Sequence, residues 1–196
     1  MSLEYDPARI GKQLRATQLE RMFRVIRSHH VDSPFGVVPA PSRFGDPEGR
    51  FSVLYASEAV RCSFWEAIVR NRFDRRKRRQ IPRSDIESRW VVAFCSDAPL
   101  SLVDLTADGP IRIAAPSAVA HNSNHAAGRA LSAATYRQVP HADGFLFQSR
   151  FTGHLCVAVF DRAIGKLQAM DVSALITHAD LLDALDDYEI TLTTPP

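Results

Sequence analysis

The longest apolar stretches in this chain are only long enough to form β-strands. They cover residues 90–95 and 155–160, whereas a helix that spans a bilayer needs roughly 20 consecutive apolar residues. The chain also begins without a basic segment followed by an apolar stretch, so we expect no secretory signal. These short stretches predict several strands and helices around a core, with no membrane span.

The size and composition of the chain are those of an ordinary soluble protein. Its 196 residues, 45% apolar and 23% charged, fit one domain over residues 1–196. Cys62, Cys95 and Cys156 are odd in number, far apart and without close Cys or His spacing. Each is therefore expected to be a small buried apolar residue, not a bridge or a ligand. This cysteine usage favours the reducing cytoplasm, and the net charge of +2 indicates no particular partner.

Strand and helix patterns follow one another without a regular βαβ rhythm, which favours an α+β fold over a doubly wound sheet. Asp6 and Pro7 suit a helix N-cap and first helical position, so a helix is predicted to about Gln18. Residues 28–50, with four prolines and three glycines, form a long loop of the kind that is usually functional or disordered. The other predictions are strands at 21–27, 52–56, 89–96, 100–105, 144–149, 154–161 and 188–192, and helices at 58–73 (N-cap Ser57), 124–137 and 171–185.

Glu66 is the most informative carboxylate in the sequence. On the predicted helix it shares a stripe with Ala59, Cys62 and Val69, by the spacing of three and four residues. A glutamate on an apolar stripe is costly to bury unless it is paired or functional. The alternative is a surface ion pair with Arg70, four residues further on.

Arg24 lies in the middle of the strand predicted at 21–27, on the same face as Met22 and Ile26. An arginine held on an apolar strand face suggests a fixed anionic partner, either a carboxylate or a phosphate. The alternatives are an ordinary buried ion pair, or an edge strand from which Arg24 extends to water.

Two further polar side chains lie on strand faces. Ser149 shares a face with Phe145 and Phe147 and could bind a ligand, although such a serine more often caps a turn. No Gly-x-Ser-x-Gly surrounds it, so a nucleophile elbow is not supported. Tyr55 shares a face with Val53, where it could stack on a ligand ring or simply fill the core.

The signals for a metal or a phosphate loop are weak. His121 and His125 could share a helix face, but no third ligand with recognisable spacing accompanies them. Neither Gly-x-x-x-x-Gly-Lys nor Gly-x-Gly-x-x-Gly occurs, so neither a P-loop enzyme nor a Rossmann dehydrogenase is supported.

A dense basic run is the main support for an alternative function. It could bind nucleic acid, as in a nuclease, or the acidic surface of a partner. Such a run is more usually a solvated helix end, and no interleaved aromatic residues suggest a single-strand platform. The run consists of Arg70, Arg72, Arg75, Arg76, Lys77, Arg78 and Arg79.

Taken in order, several short motifs resemble the RES-domain family, which is named for its Arg, Glu and Ser. Each motif is weak alone, but their order and spacing are moderately specific, and they span residues 22–150. Here Arg43 stands in Ser-Arg-Phe where the family often has Gly-Arg-Trp, and the stretch from Arg43 to Tyr55 is longer than usual. The motifs are Met22-Phe23-Arg24-Val25-Ile26, Ser42-Arg43-Phe44-Gly45, Ser52-Val53-Leu54-Tyr55-Ala56-Ser57, Phe64-Trp65-Glu66 and Asp143-Gly144-Phe145-Leu146-Phe147-Gln148-Ser149-Arg150.

The resemblance implies a fold similar to that of ADP-ribosyltransferase toxins, with a mixed sheet core at about 20–160 flanked by helices. It also implies a bacterial toxin that cleaves NAD⁺ as its substrate, needs no metal and is paired with an Xre-like antitoxin. Nucleic acid would then be contacted only through the antitoxin. The acceptor of ADP-ribose would be a protein, water or phosphate.

By the same resemblance, Arg24, Arg43, Tyr55, Glu66 and Ser149 line the NAD⁺ site. Cleavage of the nicotinamide–ribose bond develops positive charge on the ribose, which the Glu66 carboxylate could stabilise. Arg24, or else Arg43, would hold the pyrophosphate, because a guanidinium fork suits phosphate oxygens. A protein that keeps the fold but has no activity is the remaining alternative, and the intact pair of Arg24 and Glu66 argues mildly against it.

Overall fold

A mixed eight-stranded sheet forms the centre of the protein in the computed structural model, which describes residues 4–46, 48–70, 72–73, 78–120 and 124–194. Helices flank the sheet, so the predicted α+β fold is confirmed. Among the described helices, none is long and apolar enough to cross a membrane. The helices are α1 (Pro7–Lys12), α2 (Val60–Phe64), α3 (Arg83–Glu87), α4 (Gly109–Arg112), α5 (Ala126–Gln138) and α6 (Ala179–Asp187). The strands are β1 (Leu14–Thr17), β2 (Met22–Arg27), β3 (Val53–Ser57), β4 (Gln80–Pro82), β5 (Arg89–Ser96), β6 (Leu100–Asp104), β7 (Gly144–Gln148), β8 (Leu155–Phe160), β9 (Leu167–Ala174) and β10 (Thr191–Thr193).

The order of strands in the large sheet is β1–β6–β7–β8–β3–β2–β5–β9. Only β6 and β7 are parallel within it, while the other neighbouring pairs are antiparallel. β4 and β10 form a separate two-stranded parallel sheet. This order brings β7, β8, β3 and β2 side by side, although β2 and β8 are far apart in the chain.

β7 and β8, at the positions of two predicted strands, form an antiparallel hairpin. Ser149 closes it with two backbone hydrogen bonds: its N–H donates to the carbonyl of His154, and its carbonyl accepts from Gly153, both at 2.9 Å. Gly153 has a φ of 73°, which a glycine adopts without steric cost. The hairpin therefore fixes the backbone of Ser149 at the end of β7.

The prediction of a first helix to Gln18 is wrong beyond Lys12. Asp6 caps α1 as expected, its side chain accepting from the N–H of Ala8 at 2.9 Å, but the helix has only six residues. The next residues form β1, which pairs with β6 from Leu14 opposite Val103 to Thr17 opposite Leu100. Pairing with β6 therefore overrides the local helical pattern.

The predicted helix at 171–185 is also wrong over its first eight residues, because the helix begins at Ala179. Residues 171–174 continue β9, a strand that the sequence analysis did not predict and that pairs with β5 from Trp90 to Ser96. α6 begins only at Ala179, and the last strand is β10, slightly later than the predicted 188–192. The backbone pairing with β5 again fixes this segment as a strand, because half of the residues of β9 are exposed and its sequence has little apolar periodicity.

The long helix predicted at 58–73 is a short α2 followed by a π-helical turn at Trp65–Val69. The N-H of Arg70 donates to the carbonyl of Trp65 at 2.7 Å, and Arg70 then takes a φ of 33°, which ends the helix. Ser57 is not the N-cap. It ends β3, and its hydroxyl donates to the carbonyl of Ala59, which occupies the N-cap position, at 2.8 Å.

Alternation along β8 separates two apolar clusters on the two faces of the sheet. Cys156, Ala158 and Phe160 face a cluster that also includes Phe44, Phe145 and Phe147, whereas Val157 and Val159 face the other. A third cluster anchors α2, whose Val60 and Phe64 pack with Leu181 of α6. The elements around the first cluster are thereby held in place on several sides.

Candidate active site

A cavity of about 280 Å³ lies on the face of the sheet that carries Phe147 and Cys156, next to the π-helical turn. Its size is close to the lower end of the roughly 300–1,000 Å³ that is usual for small-molecule sites. Four of the five site residues predicted from the sequence line it, namely Arg24, Arg43, Tyr55 and Glu66. The fifth, Ser149, does not line the cavity but contacts Glu66.

Glu66 is held in the π-helical turn by a hydrogen bond to the hairpin. Its Oε1 accepts from the hydroxyl of Ser149 at 2.7 Å, and its side chain is half-buried. Within the described residues no ion pair joins Glu66 to Arg70, so the alternative of a surface pair does not hold. π-helical turns inside α-helices are rare and occur frequently at functional sites.

The Ser149 side chain is fixed by two hydrogen bonds of opposite direction. Its Oγ accepts from the N–H of Phe151 at 3.2 Å and donates to Glu66. Ser149 is 3% exposed, so water does not compete for the hydroxyl. Ser149 therefore caps the turn at the end of β7, as serines in such positions often do, and it also orients the Glu66 carboxylate.

Arg24 binds the long loop at 28–50. Its Nη1 donates to the carbonyl of Pro34 at 3.2 Å and its Nη2 to the carbonyl of Gly36 at 3.1 Å. No carboxylate in the described part of the chain lies within ion-pair distance of it, so the buried ion pair considered above is not formed. Burial lowers the pKa of Arg24 to about 10, and the guanidinium therefore stays cationic at neutral pH.

The cavity carries an excess of positive charge. Arg24, Arg43, Arg70 and Arg150 line it, and Glu66 is the single carboxylate among the described lining residues. Burial is the main cause that lowers the pKa of Arg43, and the charge of Arg150 lowers it further. This crowding of guanidinium groups favours an anionic ligand with several oxygens, such as a diphosphate.

His125, at the start of α5, has a pKa that burial and nearby arginines lower. Burial lowers its pKa most, and the charges of Arg43, Arg70, Arg129 and Arg150 lower it further. A neutral imidazole is thus favoured at position 125. The other member of the predicted histidine pair, His121, lies outside the described residues.

Tyr55 connects β3 to the loop that carries Arg43. Its hydroxyl accepts from the N–H of Phe44 at 2.8 Å and donates to Oγ of Ser42 at 3.0 Å. Burial is the first cause of the raised pKa of Tyr55, so the phenol stays protonated. The tyrosine therefore contributes both its ring to the cavity wall and its hydroxyl to the position of Arg43.

Sequence reasoning missed Arg70 and Arg150 as lining residues. Arg150 directly follows Ser149 in the last motif, which is a signal that could have found it. Arg70 had no such signal, because its position depends on the positive φ that ends the π-helical turn. The hydroxyls of Ser57 and Ser63, 2.7 Å apart, also border the cavity and were not predicted.

The described part of the basic run does not form one surface stripe. Arg72 pairs with Asp85 at 2.7 Å, Arg79 donates to the carbonyl of Tyr188 at 2.8 Å, and Arg70 lines the cavity. The nucleic-acid alternative gains no support from these contacts. Of the remaining residues of the run, Arg78 is exposed, and Arg75, Arg76 and Lys77 lie outside the described residues.

No metal cluster is found within the described residues: His, Cys, Asp and Glu side chains nowhere gather there in groups of three or more that could hold an ion. That the reaction needs no metal stays a prediction. None of the three cysteines is in a disulfide. Cys62 and Cys156 are buried as expected, whereas Cys95 is only partly buried. The sulfurs of Cys62 and Cys156 lie in contact, 3.7 Å apart.

Comparison with known proteins identifies the fold and the family. The chain aligns with the "Probable toxin y4kH" of Sinorhizobium fredii at 33% identity over 95 residues, which are 48% of this chain and 75% of that protein. It is also similar to a chain in the crystal structure of the M. tuberculosis MbcT-MbcA toxin-antitoxin complex, with a TM-score of 0.67 and 15% identity. That match covers 86% of this chain and 91% of the solved one, and it shows a shared fold.

The fold and the cavity define an α+β protein with a cationic ligand site that contains one fixed carboxylate. Residues 21–183 match the RES domain. The chain therefore belongs to the RES domain family, as its ordered motifs predict, and the matched range includes all five predicted site residues.

Proposed function

We propose that this protein is the toxin of a toxin–antitoxin pair and cleaves NAD⁺ at the nicotinamide–ribose bond. The observation that supports this most is the Glu66 carboxylate, held by Ser149 beside a cavity whose other charged lining groups are arginines. Membership of the RES family and the similarity to a probable toxin are independent support.

The residues fit the two parts of the substrate. As the nicotinamide leaves, positive charge develops on the ribose, and a carboxylate oriented in advance stabilises that charge. Ser149 supplies this orientation, since its hydrogen bond fixes one oxygen of Glu66. The guanidinium groups of Arg43 and Arg150 suit the pyrophosphate, whose negative charge relieves their mutual repulsion.

Arg24 has a different part in this proposal from the one expected from its motif. Two of its N–H groups already donate to the carbonyls of Pro34 and Gly36. Arg24 therefore holds the loop against the cavity and also adds positive charge. Tyr55 similarly holds Ser42 and Phe44 around Arg43, while its ring is available to pack against the nicotinamide.

The partner and the acceptor are parts of the same proposal. An Xre-like antitoxin would neutralise the toxin in the cytoplasm, and contact with nucleic acid would come only through that antitoxin. The ADP-ribose would pass to a protein, to water or to phosphate. The neighbouring solved structure is a toxin–antitoxin complex, which supports a protein partner of this kind.

The test is to incubate the purified protein with NAD⁺ labelled in the adenosine half, in buffer alone, with phosphate, and with cell lysate. Released nicotinamide, labelled small products and labelled proteins are followed in parallel. We expect nicotinamide release in at least one of these conditions. We expect Glu66→Gln, which keeps the shape but removes the charge, to lower the rate by roughly 100-fold or more.

Glu58→Gln is the matched control. Glu58 is exposed at the start of the same helical segment, and its Oε1 accepts from the N–H of Leu155 at 2.8 Å, a bond that the glutamine oxygen can keep. It does not line the cavity, so its substitution should leave the rate unchanged. A folded protein that releases no nicotinamide in any of the three conditions would show the proposal to be wrong.

A further inference from the structure

Two cysteine sulfurs are in contact at the wall of the cavity. Sγ of Cys62 and Sγ of Cys156 are 3.7 Å apart, both residues are buried, and both are reduced. Cys156 lies on β8 and lines the cavity, whereas Cys62 lies on α2, one helical turn before Glu66. Sulfurs of a disulfide are about 2.05 Å apart, so a displacement of less than 2 Å would join them.

The surroundings of Cys62 favour its reactive form. The hydrogen bond with Cys156 lowers the pKa of Cys62 to about 6, burial acts in the opposite direction, and the hydroxyls of Ser57 and Ser149 lower it further. The thiolate is the form that attacks oxidants. The cavity gives a small oxidant a route to the pair, because Cys156 lies on its wall.

We propose that Cys62 and Cys156 are a dithiol modification site, which a peroxide oxidises to a disulfide and which thereby inactivates the Glu66 site. The sulfur of Cys62, as a thiolate, attacks a peroxide oxygen. The O–O bond breaks, and with hydrogen peroxide one water leaves. The second sulfur then attacks the sulfenic acid, the S–O bond breaks and a second water leaves. The two thiols lose two electrons and two protons in all, and the peroxide accepts them.

The bond would act on Glu66 through α2 and Ser149. Drawing the sulfurs together moves α2 and β8 relative to each other, and Glu66 follows Cys62 by one turn. Ser149, which holds Glu66 at 2.7 Å, is also among the hydroxyls that lower the pKa of Cys62. Since a misplacement of about 1 Å can cost about 100-fold in rate, we expect the oxidised protein to lose at least about tenfold. This second half of the inference rests on the proposed function.

The experiment uses the full chain, treated with hydrogen peroxide and then with dithiothreitol. Peptide mass spectrometry after thiol blocking reports whether Cys62 and Cys156 become linked, independently of any activity. Nicotinamide release is measured on the same samples, and each variant is compared with its own untreated sample. Cys95→Ser is the matched control, because Cys95 lies on β5 and outside the pair.

We expect a Cys62–Cys156 peptide link, loss of nicotinamide release and recovery of both by the reductant, in the original chain and in Cys95→Ser. Cys62→Ala and Cys156→Ser should each abolish the link and the peroxide-driven loss, and either one suffices if the other does not fold. Absence of the link, or a link without loss of release, overturns the inference. A link in a protein that never releases nicotinamide supports the dithiol site and instead counts against the proposed function.

Discussion

The hydroxyl of Ser149 donates a 2.7 Å hydrogen bond to Oε1 of Glu66, across 83 positions of the chain. One partner lies at the end of a β-hairpin and the other in a π-helical turn, so neither segment alone fixes the carboxylate. The hydroxyl is itself oriented by the N–H of Phe151. The orientation of Glu66 therefore depends on the docking of the hairpin against the helix.

Ser149→Ala should lower kcat for nicotinamide release by roughly 10- to 100-fold with little change in KM. The substitution removes one hydrogen bond to a charged group, which is worth about 1.5–3 kcal/mol, while the arginines proposed to bind the substrate stay in place. Steady-state kinetics provide the measurement. Ser132→Ala is the control, since this equally buried hydroxyl donates to the carbonyl of Phe44 and does not touch Glu66. An equal loss of kcat in both variants would contradict a specific role for Ser149.

Arg24→Lys should release the loop at 28–50 and raise KM for NAD⁺ by about tenfold. A lysine keeps the charge but lacks the fork that reaches the carbonyls of Pro34 and Gly36 together. Limited proteolysis should cut this loop faster in the variant. Arg27→Lys, at an exposed position on the same strand, should leave both proteolysis and KM unchanged. If Arg24→Lys behaves like this control, the loop does not depend on Arg24.

Tyr55→Phe should lower stability while the ring remains in the cavity wall. Without the hydroxyl, the N–H of Phe44 loses its acceptor, and an unsatisfied buried donor costs about 1–3 kcal/mol. For a chain of this length this corresponds to a fall in Tm of roughly 2–12 °C, measured by thermal denaturation. Tyr188→Phe should change Tm much less, because its phenol makes no hydrogen bond within the described part of the chain. Equal shifts for the two variants would contradict this account of Tyr55.

The rate at which peroxide links Cys62 to Cys156 should rise with pH and level off early, because the pKa of Cys62 is lowered. With that pKa at about 6, thiolate and rate should both increase as the pH rises through about 6 and then level off above 7. An ordinary cysteine would continue to gain thiolate up to about pH 8.5. The rate of thiol loss in Cys95→Ser between pH 5 and 9 measures this. A rate that still rises steeply from pH 7 to 8.5 would show that the Cys62 thiol is not activated.

Much of the fold was determined by local sequence patterns. The continuous apolar runs at 90–95 and 155–160 predict strands that the structure contains, because strongly apolar strands need no particular partner to be recognised. The motifs from Arg24 to Ser149 likewise predict the family, since their order in the chain is a property of the sequence alone. Glu66 could be identified because a carboxylate on an apolar helical stripe is costly without a partner.

Only the tertiary structure decided the weaker segments and the partners of each site residue. Residues 14–17 and 171–174 became strands because β6 and β5 offer them backbone hydrogen bonds, which outweigh small differences in local propensity. The carbonyls that bind Arg24 belong to an irregular loop. The sulfur in contact with Cys62 belongs to Cys156, in a distant segment. Such contacts depend on how whole elements pack, and no periodicity in the sequence records them.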